Sequence, residues 1–155
     1  VQGPGAVALL GDAVAALPRF GIGAASVLGF DVLAARTGYT GEDGAELFAP
    51  AEMAADLWDA LSAAGGAPCG LGARDTLRIE AALPLYGHEM DESVAPYAAR
   101  LGWVVKLEKA GDFVGRDALA RIKAGGRGKI LVGVAMEGRG IPREGYPIHT
   151  PGGGP

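Results

Sequence analysis

The spacing of apolar residues predicts a pair of strands in the first third of the chain. Residues 25–36 are almost entirely apolar and contain several β-branched or aromatic side chains, so we expect one strand there. Residues 45–49 predict a second strand, in which alternation turns Glu46 away from three core positions, Ala45, Leu47 and Ala49. Together the two segments predict a hairpin that is closed by the residues between them.

Helical spacing replaces this pattern after Pro50. Apolar residues recur at three and four positions between residues 51 and 64, and Gly65 follows them, which predicts an amphipathic helix with a glycine stop. A second helix is expected over residues 72–82, with Arg74 and Arg78 one turn apart. Shorter helices are expected at 6–10, 13–17 and 117–123.

The last third of the chain predicts two further strands. Residues 101–107 are expected to form a buried strand, and residues 130–135 another, after a glycine-rich joint at 125–128. We therefore place a domain boundary between residues 124 and 125. The predicted fold class is α+β, with an antiparallel sheet in the first domain.

Charge supports two units and argues against a nucleic-acid partner. Residues 1–100 carry 13 acidic against 5 basic side chains, and residues 101–155 carry 5 against 9. The basic part is sparse and has no interleaved aromatic residues, which does not favour nucleic-acid binding. No apolar run is long enough to span a bilayer, so we expect no membrane partner and a cytoplasmic location, or the mitochondrial matrix in a eukaryote.

Few residues can bind a metal. The chain has one cysteine, Cys69, and two histidines, His88 and His149, that are distant in sequence. We expect no metal site, and we expect Cys69 to be a small buried apolar residue. Tyr86, which follows the second helix, is expected to be a core aromatic residue.

The turn between the two predicted strands is the strongest candidate for chemistry. It reads Gly38-Tyr-Thr-Gly-Glu-Asp-Gly-Ala-Glu46, so it combines flexible backbone, the flat ring of Tyr39 and three carboxylates. A carboxylate at Glu46 can accept two parallel hydrogen bonds from an edge such as that of a pterin ring. From the residues alone, a solvent-facing turn is the favoured interpretation, because most acidic turns are surface features.

Arg74 also has two interpretations. It is either an exposed helix arginine paired with Asp75 or Asp43, or a planar donor for a carbonyl or carboxylate of a ligand. The helix pattern by itself does not choose between them.

The order of motifs along the chain resembles one family. The Arg36-Thr-Gly-Tyr-Thr-Gly-Glu-Asp-Gly-Ala-Glu46 segment is followed by Gly70-Leu-Gly-Ala-Arg-Asp-Thr-Leu-Arg-Ile-Glu80 and by Leu83-Pro-Leu-Tyr-Gly-His88. This order is similar to that of the aminomethyltransferases of the glycine cleavage system, the T-proteins. The resemblance covers essentially the whole chain.

The resemblance implies a fold and a reaction. The implied fold has folate-binding α+β domains, here a partial one at residues 1–124, followed by a C-terminal β-barrel whose truncated start is expected at 125–155. The implied reaction moves the aminomethyl group on the lipoyl arm of the H-protein to tetrahydrofolate, a co-substrate, and releases ammonia and 5,10-methylenetetrahydrofolate. By the same resemblance, Glu46 recognises the pterin, Arg74 lines the folate pocket and Tyr39 is its aromatic neighbour.

The resemblance also implies that parts of the family's site lie outside these 155 residues. Family members are more than twice as long, and their catalytic aspartate belongs to an N-terminal stretch that has no match here. A further folate-contacting arginine belongs to the C-terminal part. We therefore expect an internal fragment that has no catalytic residue of its own and does not catalyse the transfer alone.

Three alternatives stay open at this point. The first is the folate domain of a dimethylglycine or sarcosine dehydrogenase, which shares the fold and the pterin carboxylate. The second is a non-catalytic folate-binding protein of the same fold, and the third is an interaction module without a ligand. The Gly-Tyr-Thr-Gly-Glu-Asp-Gly and Leu-Tyr-Gly-His motifs favour the aminomethyltransferase.

Overall fold

The computed structural model describes residues 1–126, 128–143, 145–149 and 152. The chain divides into two compact units, Val1–Val94 and the residues from Ala95 onward. The predicted domain boundary at residues 124 and 125 stays a prediction. In the described part of the chain, no helix is both long enough and apolar enough to cross a membrane.

The first unit is an α+β fold, as the sequence predicts. Two short helices, α1 (Ala6–Leu10) and α2 (Asp12–Ala15), precede the strands β1 (Ile22–Val27), β2 (Phe30–Ala35) and β3 (Glu46–Phe48). A 3₁₀ turn (Ala51–Met53) leads into α3 (Ala54–Ala63), and α4 (Leu71–Glu80) follows. Both long helices lie where the apolar spacing predicts them.

The three strands form one antiparallel sheet in the order β1, β2, β3. Ala34 pairs with Gly23 on one side and with Leu47 on the other. Small and branched apolar residues of one sheet face pack against the helices, and this core contains Leu10, Val14, Ala25, Val27, Val32, Ala34, Ala45 and Leu57. The core location predicted for Ala45 is confirmed, and Leu47 and Ala49 pack against the same cluster.

The expected single strand over residues 25–36 is wrong, because the chain reverses inside it. Leu28 and Gly29 have φ angles of 51° and 88°, the left-handed pair of a two-residue hairpin turn, so that β1 and β2 are separate antiparallel strands. The usual sequence signature of this turn is Asn-Gly or Asp-Gly. Leu-Gly within an apolar run lacks that signature, so the turn is not predicted.

The second unit lacks the two strands expected in it. A 3₁₀ turn (Gly102–Val104) occupies the middle of residues 101–107, and Trp103 is 71% exposed. Residues 130–135 are described and form no regular element, although the Leu131 amide donates to the Ala98 carbonyl at 2.8 Å. An apolar run becomes a strand only with a partner to pair with, and within the described ranges residues 130–135 gain a single backbone hydrogen bond of this kind.

One helix of the second unit is as expected. The α5 helix (Arg116–Ala124) covers the predicted segment 117–123. The start of a β-barrel stays a prediction, since the residues described after α5 form no strand.

Candidate functional site

Glu46 opens β3 on the sheet face turned away from the core. It pairs with Ala35 of β2, and its side chain is exposed, as strand alternation predicts. The Thr37 hydroxyl donates a hydrogen bond to Oε2 of Glu46. A carboxylate oxygen has more than one lone pair, so Glu46 retains capacity to accept further donors.

Tyr39 and Arg74 contact each other across the first unit. The guanidinium carbon of Arg74 lies 4.5 Å from the centroid of the Tyr39 ring, within the range of a cation–π contact. The Tyr39 hydroxyl donates to the carbonyl of Pro84, which follows α4. The Tyr39 side chain therefore connects the glycine-rich turn to α4 through Arg74 and to the loop after α4 through Pro84.

Arg74 makes no salt bridge with any residue that the structure describes. The two carboxylates that the sequence offers it are engaged elsewhere: Asp75 pairs with Arg78, and Asp43 pairs with Arg36. The paired helix arginine considered as an alternative is therefore not what the structure has. Arg74 instead lines a cavity.

Glu46, Tyr39 and Arg74 line a single cavity of about 430 Å³. Its other walls include Gln2, Trp58, Leu61, Cys69 and Leu77. The volume is within the range of small-molecule sites, which are about 300–1,000 Å³. One wall thus carries a carboxylate, and another carries a flat ring with a cation over it.

A wider hollow of about 610 Å³ lies elsewhere on the first unit, over Ala24, Leu33 and Phe48. Its polar side chains are limited to Ser26 and Asp31. Such a surface can contact an apolar ligand, but it has few polar groups that could orient the ligand. On chemical grounds the cavity with Glu46, Tyr39 and Arg74 is the candidate site.

An ion pair holds the glycine-rich turn against α2. Both oxygens of Asp43 accept from Nη2 of Arg36, at 2.7 and 2.8 Å, and Nη1 of Arg36 donates to the carbonyls of Val14 and Leu17 at 3.3 Å. Hydrogen bonds from Arg36 and then from the Gly44 amide hold the pKa of Asp43 below its usual value. Asp43 thus fixes the turn and does not line the cavity.

The turn passes so close to α4 that it requires glycine at position 41. Gly41 has a φ of +79°, and a Cβ atom added to it would lie 2.6 Å from the Cβ of Ala81. Both the backbone conformation and the lack of space therefore exclude a side chain. The close contact brings Tyr39 within reach of the residues after α4.

A buried ion pair beside the site is not evident from the sequence. Arg78 is 2% exposed, and it donates to Asp75 and to Oε2 of Glu89, both at 2.7 Å. Burial favours a lower pKa for Arg78, but these two hydrogen bonds outweigh it and raise the pKa above its usual value. From the sequence, Arg78 is predicted only to lie one helical turn from Arg74. Glu89 lies in a loop, where no repeating pattern of residues predicts its partner.

Two expectations about single residues are wrong. Cys69 is exposed and lines the cavity, because the segment between α3 and α4 runs along the surface. Tyr86 is 63% exposed, since it lies in the loop after α4 and not in the core. Within the described ranges no three His, Cys, Asp or Glu residues group closely enough to hold a metal ion.

The fold and the cavity define an α+β domain that can hold a planar ligand with donor groups along one edge. Residues 1–109 of this chain match the family model described as the GCVT N-terminal domain. The chain therefore belongs to the GCVT N-terminal domain family.

Named relatives agree with this family. The chain is 53% identical over 152 residues to an aminomethyltransferase of Synechococcus elongatus, an alignment that covers 96% of this chain and 41% of that protein. It is 59% identical over 121 residues to an aminomethyltransferase of Symbiobacterium thermophilum, covering 76% of this chain and 32% of that protein. The chain thus spans about two fifths or less of the length of these relatives.

A solved structure has the same fold over part of the chain. The crystal structure of the glycine cleavage system aminomethyltransferase T from Bartonella henselae superposes with a TM-score of 0.55 at 38% identity. The match covers 61% of this chain and 27% of that one.

Proposed function

We propose that this chain supplies the pterin-binding cavity of a tetrahydrofolate-dependent aminomethyltransferase. The observation that supports the proposal most is that Glu46, Tyr39 and Arg74, matched to the family by motif, line one cavity. The relatives described above are named aminomethyltransferases, and for this reason we prefer the transferase to the folate domain of a dehydrogenase.

Glu46 is proposed to bind the pterin edge. A pterin presents its exocyclic amine and an adjacent ring N–H side by side, and a carboxylate accepts two such parallel hydrogen bonds. The hydrogen bond from Thr37 holds the carboxylate in one orientation before the ligand arrives. A group held in this way loses less conformational entropy on binding.

Arg74 and Tyr39 are proposed to form the wall against which the planar ring packs. The Tyr39 hydroxyl donates to Pro84, so the ring and not the hydroxyl is what this residue offers a ligand. Arg74 keeps its donors for a ligand carbonyl or carboxylate, since it makes no ion pair in the described part of the chain. The two walls together orient the ring.

The proposed reaction is a group transfer without net oxidation. The aminomethyl carbon, carried on a lipoyl sulfur of the H-protein, forms two bonds to folate nitrogens as its bonds to the amino nitrogen and to sulfur break. Ammonia, dihydrolipoyl H-protein and 5,10-methylenetetrahydrofolate are the products. The residues of this chain bind and orient the folate for that step.

We propose further that the 155-residue chain does not complete the transfer alone. None of its residues is matched to the family's catalytic aspartate, which is expected to assist attack by the folate nitrogen. Incubation of the purified chain with aminomethyl-loaded H-protein and tetrahydrofolate should give no 5,10-methylenetetrahydrofolate. Measurable formation of that product by the purified chain, above a control without the chain, would contradict the proposal.

Cys69 provides a direct test of ligand binding. It is the single cysteine of the chain, it is exposed, and it lines the cavity. Bound tetrahydrofolate should slow its alkylation by a maleimide, whereas p-aminobenzoylglutamate, which lacks the pterin, should not. An alkylation rate that saturating tetrahydrofolate leaves unchanged would count against a pterin in this cavity.

A further inference from the structure

The Arg78–Glu89 ion pair lies next to the candidate site but does not belong to its lining. Arg78 is almost completely buried, and it is absent from the residues that line the cavity. Burying an arginine is costly unless its charge is paired and its donors are bonded, and a buried pair often gives no net stability. Removing one partner of such a pair is nevertheless destabilising, so the contacts that the pair makes decide whether it has a role besides stability.

The hydrogen bonds of this pair meet on one short segment of chain. Nη1 of Arg78 donates to the Leu83 carbonyl at 3.2 Å, and the Leu85 amide donates to Oε2 of Glu89 at 2.9 Å. Oε2 of Glu89 also accepts from Arg78 at 2.7 Å. Leu83 and Leu85 are the two neighbours of Pro84, so the pair holds Pro84 from both sides.

The Pro84 carbonyl in turn holds the aromatic wall of the cavity. It accepts the hydrogen bond of the Tyr39 hydroxyl, and the Tyr39 ring lies against the guanidinium of Arg74. The Leu85 amide and the Pro84 carbonyl belong to one peptide group, so Glu89 bonds to one side of this group and Tyr39 to the other. Arg78 lies one helical turn after Arg74 on α4, so this series of contacts begins and ends on the same helix.

We propose that Arg78 and Glu89 are positioning residues for the candidate site: they fix the Pro84 carbonyl, which sets the Tyr39 ring and through it the Arg74 guanidinium. Neither residue touches the ligand. The inference has two parts. The expected effect on folate affinity rests on the proposed function, whereas the arrangement of Pro84, Tyr39 and Arg74 can be tested in the chain without ligand.

The geometric part is tested by NMR on the ligand-free chain. The ring current of Tyr39 shifts the Nε–H resonance of Arg74, and Glu89→Ala should move that resonance toward its value in Tyr39→Ala. Glu92→Ala, which removes an exposed carboxylate three residues away, should leave it unchanged. Should Glu89→Ala fail to fold, as judged by circular dichroism, Glu89→Gln breaks the charge pair with Arg78 and gives the Leu85 amide only a weaker, neutral acceptor, so it should move the resonance in the same direction by a smaller amount. An Arg74 resonance unchanged in a folded Glu89 variant would overturn the proposal.

The functional part is tested by a double-mutant cycle on tetrahydrofolate affinity. Tyr39→Phe removes the hydroxyl that donates to the Pro84 carbonyl, and Glu89→Gln weakens the bond to the Leu85 amide, which belongs to the same peptide group as that carbonyl. If the two residues act along one path, each alone should raise the Kd about fivefold, and the double variant should be little weaker than either single one. A role of Glu89 in global stability alone predicts that Glu89→Gln leaves the Kd of the folded chain unchanged, and an effect on the ligand that is independent of Tyr39 predicts roughly a 25-fold rise in the double variant.

The two proposals fail in different ways. Tetrahydrofolate binding by the unaltered chain, together with either an unchanged Kd in Glu89→Gln or independent effects of Tyr39→Phe and Glu89→Gln, would overturn the positioning role alone. No binding by the unaltered chain would overturn the proposed function, and the NMR comparison would then decide the geometric part.

Discussion

The Arg74 guanidinium lies 4.5 Å from the centre of the Tyr39 ring, and this contact joins the glycine-rich turn to α4. The turn provides the ring and the neighbouring strand β3 provides Glu46, while the helix provides the cation. Three residues that are spread over the sequence thus form two walls of one cavity. This contact leads to a prediction about the effect of replacing Arg74.

Arg74→Lys should weaken tetrahydrofolate binding while the fold is retained. Lysine keeps the charge but loses the planar group that stacks on Tyr39 and donates in parallel, at a cost of about 1 kcal/mol of binding free energy. Calorimetric titration measures the effect. Arg19→Lys is the matched control, because Arg19 lies 5.5 Å from the Phe20 ring and does not line this cavity. Equal affinity losses in the two variants would contradict a specific role for Arg74.

Gly41→Ala should destabilise the first unit more than Gly29→Ala does. Both glycines have a positive φ, which costs alanine roughly 1–2 kcal/mol. At Gly29 an added Cβ has no neighbour within 4 Å, whereas at Gly41 it meets Ala81 at 2.6 Å. Overpacking of this kind costs about 1–3 kcal/mol more. Urea unfolding of the two variants gives the difference, and equal losses of free energy of unfolding would show that the turn is not packed against α4.

Glu89 should make the free energy of unfolding depend on pH in the acid range. Its partial burial raises the pKa, but hydrogen bonds from the Leu85 amide and from Arg78 outweigh that, so the pKa is below its usual value of 4.5. A depressed carboxyl pKa gives stability that is fully present above about pH 4.5 and is lost as pH falls through the folded-state value.

The check is a comparison of the chain with Glu89→Gln between pH 3 and pH 7. The variant should be the less stable of the two at pH 7, and the gap in free energy of unfolding should narrow toward pH 3. Asp75 also faces Arg78, so Asp75→Asn serves as a second comparison. A gap that does not change with pH would mean that the Glu89 charge does not stabilise the fold.

The sequence predicts the helices of this chain well because their signals are local. The three- and four-residue spacing after Pro50 and the glycines at 65 and 66 define α3, and similar spacing defines α4. Strands depend on partners, and here the pattern is less reliable. The apolar runs at 101–107 and 130–135 resemble strands, yet neither is part of a sheet.

The candidate site is predictable only in part. Motif order assigns Glu46, Tyr39 and Arg74 to one ligand, and alternation along β3 predicts that Glu46 leaves the core. The contact between Tyr39 and Pro84 and the burial of Arg78 depend on how the loop after α4 returns to the helix. No spacing rule connects Arg78 to Glu89, because a loop and not a repeating element brings them together.

Under the proposed function, we expect a salt-dependent contact between the basic part of the chain and the H-protein, since carrier proteins are commonly acidic. Arg139 and Arg143 are exposed in the second unit. Reversing both to glutamate should weaken H-protein binding and reduce its dependence on salt concentration, because screening acts on exposed charges. Reversal of Arg19, in the acidic part of the chain, is the control. If the salt dependence of H-protein binding does not change after reversal of Arg139 and Arg143, these two residues do not contact the H-protein.

The central claim is that Glu46 binds the pterin of tetrahydrofolate, and affinity measurements on two glutamine variants test it most directly. Glu46→Gln should weaken binding by about 1.5–3 kcal/mol, the scale of a hydrogen bond to a charged group. Glu42→Gln removes the same charge from the neighbouring turn, but Glu42 is outside the cavity lining. The Glu42→Gln variant should therefore bind tetrahydrofolate as tightly as the unaltered chain. An unchanged affinity in Glu46→Gln, or an equal loss in both variants, would contradict the account.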